Sequence, residues 1–243
     1  MKAVILAAGI ASRLRPLTDN TPKCLLKVGD KNILELTIDN ILANNITEII
    51  IVTGYLQQQI KDFIAKKYPQ INVTYIYNNV YDSTNNIYSL WMAKDYLLGD
   101  EMLLMDSDII FDKQIIAELI NSGYDSCLAL KRHAVSDEEI KVKADTEGRV
   151  LEISKEVIPS EAIGESIGIE KFGKDLLYKL FEIIDRKVIK ENNVNQFYEA
   201  AFQELINNKE NIFIVDTTSY ICMEIDTAHD LETAGEVLMN SLM

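Results

Sequence analysis

The chain has 243 residues, 48% of them hydrophobic and 26% charged, with 24 Lys+Arg against 38 Asp+Glu and a formal net charge of −14. That length suits one α/β domain with an elaboration or two small domains, and four prolines with ten glycines exclude collagen-like, low-complexity and disordered chains. The acidic balance excludes a general DNA- or RNA-binding role, because a phosphate backbone would be repelled over most of the surface.

In chain order, Val4 to Ala7 is an uninterrupted apolar run, predicted to be a strand covered on both faces. The apolar stretch before Gly9 is too short for a signal-peptide core or a membrane span, so a cytoplasmic protein without a membrane partner is expected. Ile33 to Leu42 repeats apolar residues at three- and four-residue spacings and predicts a helix. A buried strand is predicted at Ile49 to Thr53, closed by Gly54, then a helix from Leu56 to Lys67 and a strand from Ile71 to Tyr77. A helix over Ile87 to Leu97 and a strand over Met102 to Met105 continue an alternation that points to a mostly parallel sheet with helices on both faces.

After Leu130 the pattern changes. Ile140 to Lys143 alternates apolar and polar residues, Asp145 to Gly148 is turn-like, and Val150 to Ile153 reads as an antiparallel partner. Helices are predicted at Lys174 to Lys187 and Gln196 to Asn207, and strands at Ile212 to Val215 and Tyr220 to Ile225. A last helix begins near Thr227, where Thr227 and Asp230 form a capping box. No repeat or hydrophilic linker is visible, so one compact unit with two lobes, 1–130 and 131–243, is expected. Cys24, Cys127 and Cys222 are widely separated and lack a CxxC spacing, which predicts reduced, buried thiols.

Charge is unevenly spread. Residues 1–31 hold Lys2, Arg13, Arg15, Lys23, Lys27 and Lys31 against Asp19 and Asp30, so this segment is 6 − 2 = +4 and the remainder is −18. A strand ending in Ala7-Ala8-Gly9 lets backbone approach a ligand closely, and open amides in such a turn bind phosphate oxygens. Arg13 can fork two phosphate oxygens, and Lys23 adds a compact charge. A solvated basic loop after a core strand is the plain alternative. The segment is neither a P-loop nor a dinucleotide fingerprint, since Gly-Lys-Ser/Thr and GxGxxG are missing.

Two acidic motifs complement this loop. Asp106-Ser107-Asp108 follows a predicted central strand at its carboxyl end, and Glu224-Ile225-Asp226 ends another just before the capped helix. Aspartates suit Mg²⁺, which takes one or two carboxylates plus phosphate oxygens and waters. Strand-end aspartates also serve as turn formers and helix caps.

Leu6-Ala7-Ala8-Gly9-x-x-Ser12-Arg13-Leu14-x-Pro16-Leu17-Thr18-x4-Lys23 resembles the signature of the sugar-phosphate and phosphoalcohol nucleotidyltransferases. Val52-Thr53-Gly54-Tyr55, the Asp108 segment and the Asp226 segment fall in that family's order, and the resemblance covers nearly the whole chain. It implies an α/β fold: a Rossmann-like, mostly parallel mixed sheet with helices on both faces and a smaller α+β substrate lobe. It also implies that the loop Leu6, Ala7, Ala8, Gly9, Ile10, Ala11, Ser12 and Arg13 wraps the nucleotide, with Arg13 on the β/γ-phosphates. Lys23 would contact the transferring phosphoryl group, Asp108 and Asp226 would hold Mg²⁺, and Lys155 would reach the acceptor's phosphate. Asp106 is then a supporting residue beside the ligand Asp108. Two positions depart from the pattern: Ala11 replaces a usual glycine, and Lys31-Asn32 replaces a usual Lys-Pro.

The implied reaction is displacement at the α-phosphorus of a nucleoside triphosphate by a phosphomonoester oxygen, with release of pyrophosphate. Such an attacker is already an anion, so no His or Ser nucleophile is needed; His133 and His229 are expected at the surface or at a helix start. The sequence ends soon after the Asp226 segment, so no repeat-type acyltransferase domain is expected to follow. Short relatives of this kind use CTP with phosphocholine, inositol phosphate or aminoethylphosphonate, and Asn79 to Trp91 resembles their middle segment. A helix starting near Asn86 would offer Asn85, Asn86 and Ser89 to the nucleotide. Glu165, Tyr198 and Glu199, with Gln196 and Phe197, would form an aromatic and acidic pocket for a cationic head group; residues spaced in this way along a helix also form core. A sugar-1-phosphate acceptor and a nucleotide-sensing protein without turnover stay open, as does a homodimer.

Overall fold

The structure is a computed structural model in which residues 1–241 are described, with side chains described to residue 238. Strand β1 (Lys2–Ala7) leads through 3₁₀ turns at Ser12–Leu14 and Lys23–Leu25 to the hairpin β2 (Lys27–Val28) and β3 (Lys31–Asn32). Then come α1 (Ile33–Ala43), β4 (Ile49–Thr53), α2 (Gln57–Lys67), β5 (Val73–Tyr77), α3 (Asn86–Met92), α4 (Lys94–Leu97) and β6 (Met102–Asp106). Strand β7 (Ile109–Phe111) and helix α5 (Gln114–Asn121) precede β8 (Cys127–Lys131), β9 (Lys141–Ala144), β10 (Val150–Ser154) and β11 (Gly164–Phe172). Helices α6 (Lys174–Asp185) and α7 (Glu199–Asn207), strands β12 (Phe213–Asp216) and β13 (Cys222–Glu224), and α8 (Ala228–Ser241) complete the chain.

One sheet runs in the order β10-β9-β11-β6-β1-β4-β5, and β8 joins it by pairing with β11 and β12. Strands β6, β1, β4 and β5 are parallel. Alternate residues of β1 feed two cores: Val4 and Leu6 meet α3, α6 and α7, whereas Ala3, Ile5 and Ala7 meet α1, α2 and α5. Burial on both faces is why this strand reads as a continuous apolar run. All three cysteines are free and buried. No helix among the described residues is long and apolar enough to cross a membrane.

The structure departs from the sequence-based expectation at several places. The helix expected over 87–97 breaks at buried Ala93, whose N–H donates to the Leu90 carbonyl three residues back and tightens the turn. Helix α7 starts at Glu199 rather than Gln196, because the Tyr198 N–H is taken by Asn86 Oδ1 at 2.9 Å. Strand β11 was not expected, since Gly164, Glu165, Gly168, Glu170 and Lys171 give it no apolar alternation. It is sandwiched between β6 and β8 over 169–172, with a bulge between Ser166 and Glu170. Strand β7 was also not expected; it pairs with β13 in a separate two-stranded sheet. Asn32, at the usual proline position, is the N-cap of α1: its Oδ1 accepts from the Glu35 N–H at 2.8 Å.

Candidate active site

The loop after β1 is pinned at its first residue. The Tyr55 N–H donates to the Ala8 carbonyl at 3.0 Å. A methyl on Gly54 would fall 2.4 Å from that same oxygen, so only glycine lets β4 close against the loop. Gly9 faces open space, with no atom within 4 Å of a built Cβ. Ala11 takes the left-handed conformation (φ 52°, ψ 52°), in which a glycine is free of strain and an alanine is not. The Thr18 hydroxyl donates to its carbonyl at 2.9 Å and holds it there. Leu6, Ala7, Ala8, Gly9, Ala11 and Arg13 then line a cavity of about 370 Å³, together with Lys23, Asn85, Asn86 and Ser89.

The pairing of β7 with β13 sets the centre. It places Glu224 opposite Ile109, and the Ile225 N–H donates to the Asp108 carbonyl at 2.9 Å. Carboxylate oxygens of Asp108, Glu224 and Asp226 consequently lie within 4.8 Å of one another. Lys23 Nζ donates to Asp108 Oδ2 at 2.7 Å and to Asp226 Oδ1 at 2.8 Å. Arg13 Nη2 stands 3.0 Å from Asp226 Oδ2. The capping box is formed: Asp230 Oδ2 accepts from the Thr227 and Asp226 N–H groups, and the Asp230 N–H donates to Thr227 Oγ1. It therefore fixes the backbone that carries Asp226.

A second cavity, about 450 Å³, opens on the other side of this centre and shares Arg13, Asn86, Asp108 and Asp226 with the first. Lys155, Glu165, Glu199, His133 and Phe197 line it. Beneath it, the Tyr198 hydroxyl donates to Asp106 Oδ2 at 3.0 Å. Gly168 (φ +70°) presses on Asp106 from the bulge of β11; a methyl there would lie 2.8 Å from Asp106 Oδ2.

A family model described as nucleotidyl transferase matches residues 2–154. The chain belongs to this family. It is similar to the CTP:phosphoglutamine cytidylyltransferase of Campylobacter jejuni (30% identical, covering 97% of this chain and 100% of that protein). It is likewise similar to the choline-phosphate cytidylyltransferase of Streptococcus pneumoniae, at 29% identity over 99% of both chains. The solved structure of the CTP:phosphocholine cytidylyltransferase from S. pneumoniae superposes with a TM-score of 0.81 at 27% identity and covers 98% of each chain. This protein is thus a nucleotidyltransferase, with that enzyme's Rossmann-like mixed sheet.

Charge crowding marks this centre. Burial opposes the Lys23 ammonium, but Asp108 and Asp226 outweigh it and raise its pKa. The surrounding protein, with Asp108 and Asp226, pushes the Glu224 carboxyl up to about 7, although part of the residue meets solvent. Burial, then Asp108 and Glu199, raises Asp106 well above the carboxylate range. Hard oxygen donors on three converging carboxylates fit a Mg²⁺ ion.

Several expectations need correction. Ile10 and Ser12 do not line the first cavity, although Ala11, Arg13 and Leu14 do. Lys23 lines the first cavity and is also paired with Asp108 and Asp226. Tyr198 is fully buried in the core; its neighbour Phe197, 44% exposed, lines both cavities in its place. Asn85 and Asn86 line the first cavity, yet their acceptor oxygens are spent on the Asn86 and Tyr198 N–H groups. His133 is exposed, as expected, and its Nε2 lies 3.0 Å from Glu165 Oε2. Glu224 was missed as a site residue. Its signal is the two-residue spacing to Asp226, which puts both carboxylates on one face of an extended segment.

Proposed function

We propose that this nucleotidyltransferase transfers a cytidylyl group from CTP to a small phosphomonoester or phosphonate of the phosphocholine type, releasing pyrophosphate, with Mg²⁺ as its ion. The supporting observation is the meeting of Arg13, Lys23, Asp108, Glu224 and Asp226 where the two cavities join. Full-length likeness to two cytidylyltransferases supports the choice of nucleotide. So does a 28% match over 63% of the chain to the 2-aminoethylphosphonate cytidylyltransferase of Lancefieldella rimae.

In this reading the nucleotide occupies the first cavity, its base side against Asn85, Asn86 and Ser89, and the acceptor occupies the second. An anionic oxygen of the acceptor attacks the α-phosphorus; the new O–P bond forms as the bond to pyrophosphate breaks, and the electron pair leaves with pyrophosphate. No general base is required. The obstacle is repulsion between two polyanions, which Arg13, shared by both cavities, and Lys155, in the second, reduce while Lys23 holds Asp108 and Asp226 in register. Held by Asp108 and Asp226, with Glu224 beside them, Mg²⁺ supplies charge neutralisation of the phosphates.

The test is pyrophosphate release from CTP, UTP, dTTP and GTP, each with 2-aminoethylphosphonate, phosphocholine or glucose-1-phosphate, with Mg²⁺ and with chelator. Fastest release from CTP with one of the first two acceptors, abolished by chelator, is expected. Faster release from UTP or dTTP with glucose-1-phosphate overturns the assignment.

A further inference from the structure

Resting on the cytidylyl-transfer reading, the second cavity carries a finer discrimination among acceptors. Atoms of His133, Glu139 and Glu165 able to bind a cation lie within 4.8 Å of one another. Glu199 lines the same cavity and is 6% exposed, and its Oε2 has no hydrogen-bond partner. A buried carboxylate oxygen without a donor is costly, so a ligand that brings an N–H recovers that cost. Phe197 is the one Phe, Tyr or Trp ring along this cavity among the described residues. Lys155 Nζ already stands 5.3 Å from its centre. Quaternary ammonium groups are held by cages of aromatic faces. Here a single ring is offered, and the protein's own cation occupies its face.

We propose that the acceptor's head group is a protonated amine that keeps N–H donors, received by Glu165 and Glu199, and that this site selects against a trimethylammonium group. An –NH₃⁺ offers three donors, whereas a quaternary nitrogen offers none and leaves Glu199 Oε2 unpaired. Lys155 sits 3.5 Å from Glu138 Oε2 at the same cavity, so an acceptor anionic at one end and cationic at the other meets both signs of charge. Sites built to hydrogen-bond an N–H reject the analogue lacking it far more strongly than apolar pockets reject an extra methyl.

The test uses the full chain with CTP and Mg²⁺ and a methylation series: phosphoethanolamine, its N-methyl and N,N-dimethyl forms, and phosphocholine. The expected result is a drop in kcat/KM of about 100-fold or more concentrated at the last methyl, where the final N–H disappears. Equal or faster turnover of phosphocholine overturns the proposal while leaving cytidylyl transfer intact, and so does a gradual fall in equal steps, which reports size alone. Failure of CTP with every acceptor, sugar phosphates included, overturns the underlying reading instead. Glu165→Gln, with its fold checked by a thermal melt, narrows the ratio of phosphoethanolamine to phosphocholine by about tenfold or more. An unchanged ratio removes Glu165 from the proposal.

Discussion

The two cavities meet at Asp108 and Asp226 but are walled by different chemistry. On the nucleotide side, the wall is backbone and small neutral side chains, with cations arriving from one basic loop. On the other side, Glu138, Glu139, Glu165 and Glu199 dominate, and their company is His133, Lys131 and Lys155. A nucleoside triphosphate brings the same charges whatever the partner, so amides and fixed cations suffice for it. In the proposed reaction the second wall tells small molecules apart, and Glu199, whose Oε2 has no hydrogen-bond partner, does that at a cost in stability.

The strongest way to break this contrast is at the shared centre. Asp108→Ala should lower kcat by about 100-fold or more, as loss of charge organisation at a phosphoryl site does. Normal Mg²⁺-dependent turnover in that variant would remove Asp108 from the centre. Lys23→Met should come next: it strips the ammonium, 11% exposed, from two carboxylates. We expect a loss of about 2 kcal/mol in chemical denaturation without divalent ion, partly restored by millimolar Mg²⁺. Equal loss with and without Mg²⁺ would separate the lysine from the ion site.

The acceptor wall offers a smaller, pH-dependent test. Burial raises Glu199 from 4.5 to about 7 in the folded protein. Below about 4.5 both folded and unfolded states carry the proton. As pH rises toward 7 the unfolded chain ionises first, so the stability contributed by this group falls across that window. Glu199→Gln does not titrate, and should gain about 2 kcal/mol over the parent between pH 4.5 and 7.5, read from melts at several pH values. A pH-independent difference would place Glu199 in ordinary solvent contact. The smallest effect belongs to the nucleotide side: Ala11→Gly relieves the left-handed backbone and should stabilise the protein by less than about 1 kcal/mol. Destabilisation there would mean that the Ala11 methyl contributes packing that outweighs its strain.

Legibility in the sequence follows the same division. Much of the parallel half could be read from local patterns: an apolar run for β1, an amphipathic stretch for α1, a basic loop between them. Asp108 and Asp226 stood out as strand-end carboxylates. The second half is held by non-local pairings that leave no periodic trace. Strand β11 hides because Glu170 and Lys171 are buried by neighbours on both sides, and β7 hides because its partner lies more than a hundred residues away. Of the two rings expected in the pocket, Phe197 lines the cavity and Tyr198 is core, its N–H donated to Asn86 just before α7 begins.

Asp106 is gripped by the Tyr198 hydroxyl and by the glycine bulge of β11, and it stands two positions before Asp108 on the same chain. The floor of the second cavity is thereby geared to the strand that leads into Asp108, and little movement can be tolerated there. The segments bearing His133, Glu139 and Lys155 leave that gearing alone. A lineage in search of new partners would find its freedom in those outer loops, retaining an inherited engine while swapping its intake.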